Sequence, residues 1–117
     1  MPEPDALLPL TPAVFHILLA LADDDRHGYA IAQEVARRTD GDVRLGPGTL
    51  YGTLTRMVEA ALIEEHVRPR ARSGPADERR RYYRLTPFGR EVARAEARRL
   101  QRLVSIARAK ALLVPKR

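Results

Sequence analysis

The chain has 117 residues, with 21 lysines and arginines against 15 aspartates and glutamates, a formal net charge of +6, and a hydrophobic fraction of 44%. That describes one small domain with enough apolar content for a core, and the absence of cysteine excludes disulfides, thiolate metal sites and cysteine nucleophiles. The longest apolar run, Ile17 to Ala22, is far too short to span a bilayer, and Glu3 and Asp5 stand where a secretion signal needs basic residues, so a cytoplasmic protein with no membrane association is expected.

Charge is distributed unevenly. Residues 1–46 carry four basic and eight acidic groups, whereas residues 85–117 carry nine basic and two acidic. Residues 68–84 hold seven arginines against Asp77 and Glu78. A basic half on an acidic half suits a polyanion on one side of the molecule. The plainer alternative is a solvated, arginine-rich surface.

In chain order, residues 1–9, with Pro2, Pro4 and Pro9, predict an irregular arm. Thr11-Pro12 has the form of an N-cap followed by proline at the first helical position. Val14, Phe15, Ile17, Leu18 and Leu21 give residues 12–22 a wide apolar face, and Asp23-Asp24-Asp25 ends that helix in a polar turn. A second helix is predicted over 27–39, with Tyr29, Ile31, Ala32, Val35 and Ala36 inward and Arg37 and Arg38 in its last turn, where the dipole favours cations. Pro47 opens a third helix to about Ala61. Leu50, Leu54, Met57, Val58 and Ala61 recur at helical spacing and face the core. Thr49, Thr53 and Arg56 fall on another face, with Tyr51 and Gly52 beside it.

Leu62 to Arg68 and Arg80 to Leu85 read as paired strands, with Tyr83 and Leu85 inward and Tyr82 outward. The loop between them carries Arg70, Arg72, Ser73 and Arg79. Thr86-Pro87 caps a last helix predicted to reach about Leu113. Along it Ala93, Ala97, Leu100, Val104, Ala107, Ala111 and Val114 are spaced 4, 3, 4, 3, 4, 3, a heptad seam widened by Leu103 and Ile106. Alanine at four of these seven positions admits a partner helix closely.

The fold class expected is mainly α with a small β-hairpin: a winged helix-turn-helix domain over residues 10–85 and a long C-terminal dimerisation helix over 86–114. A helix of small polar residues followed by an arginine-rich hairpin is suited to a DNA major groove and its flanking phosphates. Tyr51 is a candidate for contact with bases or phosphates, Thr49 and Thr53 have the size for phosphate oxygens and thymine methyls, and the loop residues Arg70, Arg72, Ser73 and Arg79 are candidates for phosphate or minor-groove contact, each weighed against a plain exposed surface. Ala93, Ala97, Leu100, Leu103, Val104, Ala107 and Ala111 are the candidate dimer seam.

Catalytic chemistry finds little support. His16, His27 and His66 lack a metal-ligand spacing, the two serines, Ser73 and Ser105, have no triad about them, and Gly46-Pro47-Gly48 lacks the lysine of a P-loop. No enzyme activity, metal or cofactor is expected.

From about residue 10 to residue 113 the chain resembles the PadR family of bacterial transcriptional regulators. The resemblance rests on His27-Gly28-Tyr29-Ala30-Ile31, on Gly46-Pro47-Gly48-Thr49-Leu50-Tyr51, on Leu54 through Arg56-Met57 with Ala61-Leu62-Ile63, and on Arg80 through Gly89. It is similar to the short-tailed branch, whose single C-terminal helix mediates dimerisation. The resemblance implies a homodimeric repressor on an inverted-repeat double-stranded operator, released by a small-molecule effector. It also implies groove contacts from Thr49, Tyr51, Thr53 and Arg56, with wing arginines on phosphates. Gly52 stands where many members have proline, the loop from Pro69 to Glu78 is richer in arginine than usual, and effector residues vary too much to carry over. The alternative from another class is a winged-helix protein-interaction module that does not bind DNA by sequence.

Overall fold

The computed structural model describes residues 2–67 and 81–114, with the side chain of Val67 left aside. Helices α1 (Pro12–Leu21), α2 (Gly28–Arg38) and α3 (Pro47–Glu59) are followed by an antiparallel hairpin of β2 (Ile63–Val67) and β3 (Arg81–Leu85), and by α4 (Pro87–Ala109). A two-residue strand β1 (Arg26–His27), which the sequence reading lacked, pairs with the outer side of β3. The sheet order is therefore β1-β3-β2, with Arg26 opposite Tyr83 and Ile63 opposite Leu85. This is the expected class: mainly helical, with a small sheet, in winged-helix order.

The helix starts follow cap chemistry. Thr11 Oγ1 accepts the Val14 amide and Thr86 Oγ1 accepts the Gly89 amide, each with proline in the first turn. His27 caps α2 through Nδ1, which accepts the Ala30 amide at 3.2 Å. The ends of α2, α3 and α4 share one device. Asp40, Ala61 and Ala111 all adopt positive φ, at 52°, 63° and 64°. After each, a 6→1 backbone bond closes the turn: Gly41 to Ala36, Leu62 to Met57 and Leu112 to Ala107. Helix α4 thus stops at Ala109, short of the expected Leu113, and its 23 residues span about 35 Å.

Ile17, Leu18 and Leu21 of α1, Ile31 and Val35 of α2, Leu50, Leu54 and Met57 of α3, Ile63, Tyr83 and Val92 form one buried cluster. Burying each large aliphatic contributes about 1.5–3 kcal/mol, so this cluster holds the three helices to the hairpin. Only the first half of α4 joins it, through Val92, with Phe88 and Ala93 packed against the cluster. Gly89 is required by contact, because a Cβ there would overlap the Leu62 carbonyl oxygen. Two tyrosine assignments change, one in each direction. Tyr29 is 62% exposed, because the phenol lies at the α2 start beyond the helices that cover Ile31 and Val35. Tyr82, expected outside, is half-buried, its ring edge-on to His27 at 5.4 Å and tilted over His66 at 6.1 Å.

The N-terminal arm is not loose. Pro4–Leu7 forms a 3-10 turn, Leu7, Leu8 and Leu10 pack against the core, and the Leu10 amide donates to Glu96 Oε2 at 3.1 Å.

Candidate nucleic-acid interface

Helix α3 supplies the polar surface. Its stripe Leu50, Thr53, Leu54 and Met57 is buried, at positions i, i+3, i+4 and i+7, so Gly48, Thr49, Tyr51, Thr55 and Arg56 are left facing water. Thr53 was expected among the exposed contacts and is corrected here: it is 3% exposed. Three residues after Leu50 and four before Met57, it sits within the apolar stripe despite its hydroxyl. That hydroxyl accepts from Arg56 Nη2 at 3.3 Å, which makes Thr53 a support for Arg56.

Thr55 is a surface residue that the sequence reading passed over. It lies four residues after Tyr51 on the same face, and that spacing was available as a signal. Its hydroxyl donates to the Tyr51 carbonyl at 2.9 Å. Gly52 does not interrupt the helix; a Cβ there would meet only Arg56 Nη1, at 3.6 Å. The cap residue Gly46 offers no side-chain acceptor to the first turn.

Tyr51 is placed unexpectedly. Its ring lies over Gly28 at the start of α2, so close that a Cβ on Gly28 would stand 2.5 Å from the phenol oxygen. Its tip therefore turns towards α2. Together with His27, Tyr29, Arg81 and Tyr83 it lines an open cleft of about 440 Å³ between α2, α3 and β3. Burial pushes the Tyr83 phenol up from its ordinary pKa, so that side chain stays neutral. Arg81, first of the described residues after the loop, donates to Glu65 at 2.6 Å, and Arg84 pairs with Glu64 directly across the hairpin at 3.0 Å. The expected loop contacts Arg70, Arg72, Ser73 and Arg79 lie outside the described residues.

Helix α2 carries a buried carboxylate paired within its own last turns. Glu34 accepts from Arg37 at 2.6 Å and from Arg38, and these two guanidinium hydrogen bonds lower its pKa from 4.5 to about 2 despite burial. His66 Nε2 lies 3.3 Å from Asp25 Oδ2, which brings β2 beside the acidic turn. Among the described residues no group of histidines and carboxylates is arranged to hold a metal, and no helix is long and apolar enough to cross a membrane.

The seam residues Ala93, Ala97, Leu100, Leu103, Val104 and Ala107 all lie on α4. Ala93 packs against the core and Leu100 is half-buried, while Leu103, Val104 and Ile106 are 49%, 41% and 53% exposed. Ala111, expected to continue the seam, lies in the turn that ends the helix, and Val114 beyond it.

Comparison with known proteins agrees with this geometry. A crystal structure of a PadR family transcription regulator from Clostridium difficile R20291 superposes with a TM-score of 0.71 at 25% identity, covering 86% of this chain and 99% of that one. The chain is 39% identical over 89 residues to the transcriptional regulator Rv3488 of Mycobacterium tuberculosis, which is 75% of each chain. It is 44% identical over 87 residues to a 37.1 kDa protein in transposon TN4556 of Streptomyces fradiae, of which it spans only 22% of the length. The profile of the transcriptional regulator PadR-like family matches residues 17–95, from the middle of α1 through the hairpin and into α4, and to that family the chain belongs.

Proposed function

We propose that this PadR-like regulator binds double-stranded DNA as a homodimer and represses transcription from an inverted-repeat operator. The observation that carries the reading is the split of α3 into a fully buried apolar stripe and an exposed face of Thr49, Thr55 and Arg56. A helix so divided is anchored on one side and free to enter a major groove on the other. Thr49 and Arg56 are the proposed base-edge contacts, Arg56 steadied by Thr53, and the loop residues Arg70, Arg72, Ser73 and Arg79 the proposed phosphate contacts.

The exposed Leu103, Val104 and Ile106 support a second copy as the partner of α4. Residues 10–85 then act as the reading domain and the 86–114 segment as the dimerising one. Release by a small-molecule effector, and action in the cytoplasm without catalysis, complete the reading.

Selection of bound fragments from genomic DNA gives the operator, and fluorescence anisotropy on it gives the test. Two reading heads neutralising about six to ten phosphates lose on the order of 10³–10⁵ in affinity between about 50 and 200 mM salt. A flat salt response, or no preference for any fragment, favours a protein-interaction module instead.

A further inference from the structure

The cleft between α2, α3 and β3 joins the two parts of the domain proposed to touch DNA. One wall is α3, which carries the groove-facing residues; another is β3, the root of the wing; the floor is the first turn of α2. The opening lies beside both α3 and the end of β3 from which the loop departs. We propose that the cleft seats one phosphate of the DNA backbone, held by Tyr29, Tyr51 and Arg81, and that Tyr51 grips the backbone and does not read a base.

The chemistry of the lining suits a phosphodiester. Tyr29 and Tyr51 bring two phenol hydroxyls, Arg81 brings a guanidinium, and no carboxylate is among the lining residues described. Arg81 gives Nη1 to Glu65, which fixes its direction, and among the described residues its remaining donors are left for a second acceptor. The start of α2 adds the positive end of its dipole.

The exposures point the same way. Tyr83 is 6% exposed, yet Tyr29 and Tyr51 are 62% and 48% exposed on the same small domain. Two large rings left in water beside one cationic side chain forgo burial that their neighbour obtains. Gly28 then fixes where Tyr51 points. With no Cβ in the way, the ring tip rests against the α2 start, and its oxygen stands at Gly28, on the border of the cleft.

This inference rests on the DNA-binding reading above, and the experiment separates the two. Operator duplexes are made with a single neutral methylphosphonate at successive backbone positions, and wild type, Tyr29→Phe and Tyr51→Phe are titrated on each and on a random duplex. Circular dichroism checks that the phenylalanine variants keep the fold.

Losing a hydrogen bond to a charged group predicts a drop of about ten- to a hundredfold for each variant, equal on operator and random DNA. One methylphosphonate position per half-site lowers wild-type affinity by a similar factor and costs the variants little more. The clamp is overturned if Tyr51→Phe narrows the gap between operator and random DNA, or if every methylphosphonate costs variant and wild type alike. Wild type that binds neither duplex overturns the regulator reading itself, and the clamp with it.

Discussion

Glu96 on α4 accepts the backbone amide of Leu10 at 3.1 Å, joining positions 86 apart in sequence through a carboxylate that is 2% exposed. The same group holds Arg99 through two bonds, at 2.6 and 3.0 Å, and these lower its pKa against the effect of burial. Glu96→Ala leaves the Leu10 amide without its acceptor and is expected to destabilise the fold by about 1–3 kcal/mol. Amide exchange read by mass spectrometry should show residues 4–10 opening well before α3. Unchanged protection of that segment would mean that Leu7, Leu8 and Leu10 hold it by packing alone.

Acid should weaken the protein in a defined window. Glu34 is held near 2 in the folded state against an ordinary value of 4.5, so its contribution is complete above about 4.5 and lost as pH falls towards 2. Glu96 is shifted in the same direction and adds to the slope. Urea titrations across that range should give a midpoint that falls steadily for wild type and less steeply for Glu34→Gln. Parallel slopes for the two proteins would remove Glu34 from the account.

A stabilising change is also available. Ala61 sits at φ 63° in the turn between α3 and β2, a conformation that costs an L-residue about 1–2 kcal/mol. Glycine adopts it freely but gains entropy when unfolded, so Ala61→Gly should stabilise by a net amount of about 0.5–1 kcal/mol. Thermal unfolding decides it, since a lower midpoint means that the Ala61 methyl packs more usefully than its backbone is strained.

Assembly is tested at the middle of α4. Leu100→Asp puts a carboxylate where a paired helix would exclude water, at a cost of several kcal/mol to the dimer. Light scattering should show monomer, circular dichroism a retained fold, and operator binding a collapse, because two half-sites about 34–36 Å apart are no longer read by one linked protein. A Leu100→Asp protein that stays dimeric assigns the exposed Leu103 and Ile106 to a different contact.

The places where sequence and structure part have physical causes. Helix starts were legible because threonine and proline mark them chemically at Thr11-Pro12 and Thr86-Pro87, and Pro47 does the same for α3. The ends of α1 and α2 were legible too, from Asp23-Asp24-Asp25 and from Arg37-Arg38, but those of α3 and α4 were not, because the left-handed position after each is taken by alanine, which carries no signal of a stop; hence the overrun to Leu113. Strand β1 is two residues long and has no period to read. Thr53 misled because a hydroxyl was weighed above its place in the Leu50–Leu54–Met57 stripe. The orientation of Tyr51 depends on a missing side chain at Gly28, a relation between two helices that no local pattern contains. The order of three helices, hairpin and long helix depended on none of these, and it stood.

The pairing of β1 with β3 has a mechanical meaning for the domain. Strand β1 ends at His27 and α2 begins at the next residue, so the hairpin and the helix-turn-helix share one length of backbone. Gly28 in turn carries the Tyr51 ring of α3, so hairpin, α2 start and α3 are tied together within a few residues of backbone. A substitution at His27 or Gly28 would therefore be felt at three elements at once, as a change to a keystone is felt by both sides of an arch.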